Sequence, residues 1–114
     1  MRTSELSPGT VARVPFPYTG AETRQHRPAL VVATTGSEDV PFLLWVVMIT
    51  AAENRPWTGD VAIPDFAAAG LPIPSVVRSA KIATIDLARA EARGQVAPET
   101  LAAVRSAIAH RLGL

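Results

Sequence analysis

The sequence predicts a mainly β protein of the α+β class, with a half-open barrel of short strands and one C-terminal α-helix packed against it. Two observations support this fold. Short apolar runs, many of them alternating, are separated by turn residues as far as residue 96. From Pro98, a favoured first helical residue, the last segment places four apolar residues on one stripe, namely Leu101, Val104, Ile108 and Leu112. An α+β sandwich is the alternative architecture.

The predicted strands cover residues 9–16, 29–34, 42–50, 60–63, 75–83 and 91–96. The run 42–50 is apolar throughout, which predicts a central strand covered on both faces. Turns are expected at 17–20 and 36–39, and a polar loop at 51–59. Asp65 caps a brief helical turn that Gly70 stops, residues 71–74 are extended, and residues 85–88 form a single helical turn. The C-terminal helix spans residues 98–112.

Length and composition exclude several classes of protein. A chain of 114 residues fits one domain, residues 1–114. No apolar run approaches the roughly 20 residues of a membrane-spanning helix, and the N-terminus has no signal-peptide pattern, so no membrane partner is expected. The absence of cysteine excludes disulfides and thiolate metal sites and favours the cytoplasm. With only two histidines, neither a metal nor another cofactor is predicted.

The net charge of +1 hides an uneven distribution of charge along the chain. Residues 1–36 carry four arginines against two acids, residues 37–66 one arginine against five acids, and residues 67–114 six basic side chains against three acids. Ten of the eleven basic residues are arginine, whose planar guanidinium matches phosphate and stacks on bases. A local nucleic-acid site is therefore compatible with the composition, although a biased genome explains the arginine excess equally well.

The polar loop 20–28 is the most informative segment of the chain. It carries Glu22, Arg24, His26 and Arg27, and it ends at an apolar run that begins at Ala29. Functional residues tend to lie on loops held by rigid strands. The proline at position 28 biases Arg27 toward extended backbone angles, so its guanidinium is expected at the mouth of a strand. An arginine in that position is suited to bind an anion.

Six segments of the chain carry a family resemblance. They are Gly9-Thr-Val with Phe16-Pro-Tyr-Thr-Gly20, the run 20–32, Val47-Met-Ile-Thr50, Pro74-Ser-Val-Val-Arg78, Lys81-Ile-Ala-Thr-Ile-Asp86, and Gly94-Gln-Val96 with the closing helix. Each is weak alone, but in this order and spacing they resemble the toxins of the MazF, PemK and Kid family, the RNA-cleaving partners of bacterial toxin–antitoxin pairs. The similarity extends over nearly the whole chain.

The resemblance implies a fold, partners and an activity. It implies an SH3-like barrel that forms a symmetric homodimer, with a groove for single-stranded RNA across the dimer face. An antitoxin segment is expected to occupy the same groove, and DNA is reached only through the antitoxin. The activity implied is metal-independent cleavage of messenger RNA at short specific sequences, which inhibits translation and growth. The products are a 2′,3′-cyclic phosphate and a 5′-hydroxyl.

The catalytic residues implied by the resemblance are Arg27, Thr50 and Arg78. Attack of a 2′-hydroxyl on the adjacent phosphorus places extra negative charge on the phosphoryl oxygens, which cationic and hydroxyl donors stabilise. Arg27 matches the arginine of the family's Arg-Pro pair, and Thr50 matches the threonine that ends its third strand. Arg78 matches an arginine of the Kid and PemK branch, and its structural alternative is an exposed strand arginine, or one paired with Asp86 or Glu91.

The substrate-binding residues expected are Tyr18, Glu22, Arg24, His26, Arg55 and Trp57. Glu22 is either a base or a loop acid, and His26 is a proton carrier beside Arg27 only if the loop bends, since neighbours in an extended chain face opposite ways. A partly exposed Trp57 would stack an unpaired base.

Two departures from the family pattern support an alternative function. The chain has Ala21 and Ala80 where relatives have a histidine and an aspartate, so the general base is left unassigned. The alternative is a non-catalytic SH3-like module that binds an antitoxin, a peptide or nucleic acid.

Overall fold

The computed structural model describes residues 6–15, 26–37 and 40–114, and its core is a six-stranded antiparallel sheet with one α-helix. The strands are β1 (Thr10–Pro15), β2 (His26–Ser37), β3 (Val40–Ala51), β4 (Asp60–Ala62), β5 (Ser75–Asp86) and β6 (Glu91–Gln95). A short 3₁₀ helix, Leu87–Arg89, joins β5 to β6, and helix α1 (Pro98–Leu112) follows.

The strand order in the sheet is β4-β5-β3-β2-β1-β6. The short strands β4 and β6 are its two edges, and the described strands do not close into a complete barrel. The prediction of a half-open, mainly β fold with a C-terminal helix is confirmed. Among the described helices, none is long and apolar enough to cross a membrane.

Alternation along the strands divides the apolar residues between the two faces of the sheet. The first-face cluster comprises Leu6, Ala12, Val14, Ala29, Val31, Leu44, Val46, Met48, Ile85 and Ala90. The second-face cluster comprises Val11, Leu30, Val32, Val47, Ile49, Ile63, Ala69, Leu71, Val77, Val96 and Val104. Because one member, Val104, belongs to α1, the helix covers the second face.

Helix α1 packs on the sheet through the first part of its predicted stripe. Val104 is fully buried, and Leu101 and Ile108 pack against the second-face cluster. The prediction for Leu112 is wrong, because its side chain is 67% exposed. The last turn of α1 is fixed instead by Arg111, which donates hydrogen bonds to the carbonyl oxygen of Thr58 and the hydroxyl of Ser79.

The long hairpin of β2 and β3 differs from the sequence-based expectation. Both strands extend beyond the predicted bounds. Residues 36 and 37 of the turn expected at 36–39 belong to β2, and residues 38–39 lie outside the described part. The prediction that β3 is covered on both faces is also wrong, since Phe42 is 47% exposed and Trp45 is 51% exposed. Trp45 alternates onto the second face, where Val47 is the first β3 residue of the second-face cluster, whereas its neighbour Leu44 is buried in the first-face cluster.

The remaining elements lie close to their predicted places. Strands β4 and β6 are each one residue shorter than expected, and β5 runs three residues further, to Asp86. The helical turn expected at 85–88 is the 3₁₀ helix at Leu87–Arg89. Asp65 caps the turn that follows β4 by accepting a hydrogen bond from the Ala68 amide at 3.2 Å.

Candidate functional site

Strand pairing brings Arg27 and Thr50 to the same end and the same face of the sheet. Val14 pairs with Arg27, and Ala29 pairs with Met48, so these residues share the first face. Arg27 and Thr50 each lie two residues beyond this last β2–β3 pair, and alternation along each strand puts both on the first face. The first face is apolar further along the strands, so these two polar residues lie where the first-face cluster ends.

Pro28 explains where the two strands separate. It lies inside β2, opposite Arg13 of β1, but it has no N–H group to donate to the strand on its other side. The pairing of β2 with β3 accordingly begins only at Ala29 and Met48. Arg27 therefore belongs to the start of β2 itself, where it is half-buried, and not to a loop that precedes the strand.

Thr50 is buried at the end of β3, and its hydroxyl is already oriented. The side chain is 8% exposed, and its Oγ1 accepts a hydrogen bond from the Nδ2 of Asn54 at 2.6 Å. A hydroxyl has one proton to donate and two lone pairs to accept. Because Asn54 occupies a lone pair, the hydroxyl proton of Thr50 is available for another acceptor.

Arg78 is 7% exposed and makes several polar contacts. Its Nε and Nη2 donate to the two carboxylate oxygens of Asp60 at 3.2 and 3.0 Å. Nη2 also donates to the carbonyl oxygen of Arg55 at 2.7 Å. Both structural alternatives are wrong: Arg78 is buried, not exposed, and its partner is neither Asp86 nor Glu91, because β4 pairs with β5 in a register that sets Asp60 directly opposite it.

The two acids expected beside Arg78 have other partners. Asp86 lies 3.9 Å from Arg89, three residues along the chain, and Glu91 lies 2.6 Å from Arg93 within β6. Both of these ion pairs are well exposed.

Asp60 also fixes the turn that carries Trp57. Its carboxylate accepts a hydrogen bond from the Trp57 amide at 2.9 Å, and its own amide donates to the Trp57 carbonyl oxygen at 3.1 Å. Burial raises the pKa of the Asp60 carboxyl group, but hydrogen bonds from Arg78 and the Trp57 amide, with attraction from Arg78 and Arg111, outweigh it and lower the pKa. The carboxylate is therefore held in its charged form.

Trp57 is 41% exposed, so the partial exposure expected from the sequence is confirmed. The guanidinium carbon of Arg78 lies 4.4 Å from the centroid of the indole, and the Nζ of Lys81 lies 5.2 Å from it. Both distances are within the range of a cation–π interaction. Arg55 is exposed in the same loop.

His26 does not share the position of Arg27. Both residues belong to the extended strand β2, where neighbouring side chains face opposite ways, and His26 is exposed while Arg27 is half-buried. The bend that would bring both to one substrate group is not present at residues 26–28. Tyr18, Glu22 and Arg24, and with them Ala21, lie outside the described residues.

Three residues near the site were missed by reasoning from the sequence. Asn54 looks like an ordinary loop residue, Asp60 like the polar start of a short strand, and Lys81 like an unremarkable strand position. Asn54 reaches Thr50 through the turn that follows β3, four residues along the chain, whereas Asp60 and Lys81 come to Arg78 and Trp57 only through the pairing of β3, β4 and β5. Within the described part of the chain, no group of three His, Cys, Asp or Glu side chains is arranged to hold a metal ion.

The open antiparallel sheet and the C-terminal helix that packs on it define a small α+β protein. The chain belongs to the family of PemK-like, MazF-like toxins of type II toxin–antitoxin systems, which it matches over residues 7–112. Proteins of this family are known as endoribonucleases. No curated protein matches the chain in sequence.

Solved structures of MazF proteins have the same fold. MazF from Deinococcus radiodurans is 26% identical, with a TM-score of 0.70 over 95% of this chain and 96% of that chain. An endoribonuclease in complex with its cognate antitoxin, from a mycobacterial species, is 21% identical with a TM-score of 0.67 over 95% of both chains. The Mycobacterium tuberculosis toxin MazF-mt6 is 21% identical, with a TM-score of 0.65 over 92% of this chain and 97% of that chain.

Proposed function

We propose that this protein is the toxin of a type II toxin–antitoxin system and cleaves single-stranded messenger RNA at short specific sequences without a metal ion. Membership of the PemK-like, MazF-like family supports the class of activity. The observation that carries the assignment to this chain's own residues is that Arg27 and Thr50 lie on the same face of the sheet, each two residues beyond the last β2–β3 pair, Ala29–Met48.

The reaction begins when the 2′-oxygen of a ribose attacks the adjacent phosphorus. A P–O2′ bond forms, the P–O5′ bond breaks, and the products carry a 2′,3′-cyclic phosphate and a 5′-hydroxyl. The 2′-hydroxyl loses a proton and the departing 5′-oxygen gains one. Negative charge accumulates on the two non-bridging phosphoryl oxygens in between.

Arg27 is assigned to these phosphoryl oxygens. A guanidinium stays protonated under all ordinary conditions, so electrostatic stabilisation suits it better than proton transfer. Its position at the end of an apolar face lowers the local dielectric constant, which strengthens its attraction for a developing charge.

Thr50 is assigned as a hydrogen-bond donor to one phosphoryl oxygen. Because Asn54 donates to the threonine oxygen, the hydroxyl proton is directed to a different acceptor, and a phosphate in front of Arg27 would supply one. Asn54 is thus a positioning residue for Thr50.

Arg78 is predicted to be catalytic by resemblance, and its contacts favour a supporting role. Nε and Nη2 are engaged with Asp60 and the carbonyl oxygen of Arg55, and the guanidinium lies against Trp57. These contacts hold the loop that presents Trp57 and Arg55 to the substrate. His26 faces away from Arg27, and the general base is left unassigned.

We further propose that the protein acts in the cytoplasm, as a homodimer that a cognate antitoxin inhibits. The solved complexes of MazE with MazF, and of a mycobacterial endoribonuclease with its antitoxin, support an antitoxin partner. DNA would be contacted only by the antitoxin in such a complex.

The test is cleavage of single-stranded RNA by the purified protein in EDTA. Arg27→Ala and Thr50→Ala are each expected to lower the cleavage rate by about 10²–10³-fold, as expected for loss of one donor to a developing oxyanion. Mass spectrometry of the fragments should find 2′,3′-cyclic phosphate ends and 5′-hydroxyl ends.

Arg13→Ala is the matched control. Arg13 is an exposed strand arginine on β1, but it pairs with Pro28 and so lies on the opposite face from Arg27. Its removal should leave the rate unchanged. RNA binding without cleavage by the unmodified protein would favour the alternative, a non-catalytic SH3-like binding module.

A further inference from the structure

Strand β5 contains a large irregularity beside Trp57. Its pairing with β3 runs regularly from Leu43–Asp86 to Val47–Ile82 and resumes at Ile49–Val77. Between these points a single residue of β3, at position 48, faces the four residues 78–81 of β5. Bulges of this kind bend a strand, re-aim its side chains and occur often beside active sites.

The bulge decides which side chains reach the indole. In a regular strand, residues three apart point to opposite faces of the sheet. Arg78 and Lys81 are three apart, yet both lie close to the ring of Trp57, at 4.4 and 5.2 Å. The irregular segment therefore gathers on one aromatic ring two cations that a regular strand would separate.

Polar contacts hold the bulge in this shape. Ser79, in its middle, is 1% exposed and donates to the carbonyl oxygen of Gly59 at 2.8 Å. The same hydroxyl accepts a hydrogen bond from Arg111 of α1 at 3.1 Å, and Arg111 also donates to the carbonyl oxygen of Thr58. The bulge, the turn after Trp57 and the end of α1 are thereby tied together.

The two cations beside Trp57 differ in the group that carries the charge. Arg78 has a planar guanidinium, which donates to Asp60 and to the carbonyl oxygen of Arg55. Lys81 carries its charge on a compact ammonium at the end of a flexible chain, which suits contact with a phosphate. A polynucleotide that stacks a base on Trp57 would bring the neighbouring phosphate toward this ammonium.

We propose that Lys81 is a phosphate-binding residue of the RNA site, contacting the phosphate beside a base stacked on Trp57. The inference rests on the proposed function in so far as the ligand is single-stranded RNA. It extends the site from Arg27 and Thr50 across β3 to the bulge of β5. Lys81 is a substrate contact in this assignment and takes no part in proton transfer.

The test uses the full chain and an RNA oligonucleotide with 2′-O-methyl groups, which lacks the attacking hydroxyl and stays intact. Its affinity for the wild type, Lys81→Gln and Lys81→Arg is measured by fluorescence anisotropy over a series of potassium chloride concentrations. Loss of one phosphate contact with a single strand should reduce the slope of log affinity against log salt by about 0.7 in Lys81→Gln. Lys81→Arg should keep the wild-type slope.

Arg89→Gln is the control for charge alone, because Arg89 is exposed and lies after β5, in an ion pair with Asp86. It should leave the slope unchanged, and thermal unfolding of Lys81→Gln checks that this variant is folded at the temperature of the binding assay. An unchanged slope in Lys81→Gln, equal slope losses in both neutral variants, or no binding by the wild type would each overturn the proposal.

Cleavage of unmodified RNA in EDTA, run in parallel, separates this proposal from the proposed function. Cleavage by the wild type with an unchanged slope in Lys81→Gln rejects the phosphate contact alone. A reduced slope in Lys81→Gln without cleavage by the wild type supports the contact and rejects the nuclease.

Discussion

Replacing Asp60 with asparagine tests whether the ion pair with Arg78 holds the turn that carries Trp57. Removal of one partner from a buried pair costs about 3–5 kcal/mol, because the remaining charge stays buried. The side chains of Arg78 and Asp60 are 9% and 11% exposed. Since Arg78 keeps its bond to the carbonyl oxygen of Arg55, we expect the lower end of that range, ~3 kcal/mol.

The assay is urea unfolding followed by circular dichroism, supported by thermal unfolding. At about 2.1 cal/mol/K of unfolding entropy per residue, a loss of ~3 kcal/mol lowers the Tm of a chain of this length by ~12 °C. Glu91→Gln is the control, because it breaks the exposed pair with Arg93 and should cost only about 0–1 kcal/mol.

The pH dependence gives a second, independent readout. The folded-state pKa of Asp60 is lowered from its ordinary value of 3.8. The stability gained from the charged carboxylate is therefore fully present above pH 3.8 and is lost as the pH falls through the folded-state pKa. The difference between wild type and Asp60→Asn should shrink as the solution is acidified below that value. A loss under ~1 kcal/mol at neutral pH, or a difference that does not shrink in acid, would refute the reasoning.

Two further predictions concern the packing around α1. Gly59→Ala should cost ~3 kcal/mol and Gly113→Ala only ~1 kcal/mol in urea unfolding. Both glycines have positive φ, 90° and 74°, but a Cβ at Gly59 would lie 2.7 Å from the hydroxyl of Ser79 whereas one at Gly113 meets nothing; equal losses would contradict this. Val104→Ala should cost ~2–3 kcal/mol because two buried methyl groups are lost, and Leu112→Ala, at an exposed site, less than ~0.5 kcal/mol. A larger loss for Leu112→Ala would contradict this and would indicate that Leu112 packs against the sheet with the other residues of the predicted stripe.

Local patterns in the sequence were sufficient to predict the elements of the fold. Alternation, continuous apolar runs and turn residues identified the six strands that the structure describes, and Pro98 with the 3.6-residue stripe identified α1, because these features reflect the preferences of near neighbours. Their ends were less well predicted. The β2–β3 hairpin is longer than expected because the two strands remain paired beyond the apolar residues from which they were predicted.

Some residues of the candidate site could be predicted from the sequence and others could not. Arg27, Thr50 and Trp57 were singled out from motifs and loop chemistry, and alternation along β2 and β3 puts Arg27 and Thr50 on the same face, just beyond the last pair of the two strands. Asp60, 18 residues from Arg78, could not be recognised as its partner. Neither could the bulge that turns Lys81 toward Trp57.

The sequence by itself determined the kind of each element, the family, and the residue types able to stabilise a phosphoryl group. Only the tertiary structure decided which charges meet. Which residues of neighbouring strands face each other depends on the register of pairing. A bulge changes the face on which a side chain lies, and no local pattern in the sequence reveals it. For this reason the partner of Arg78 and the place of Lys81 became visible only when β3, β4 and β5 were paired.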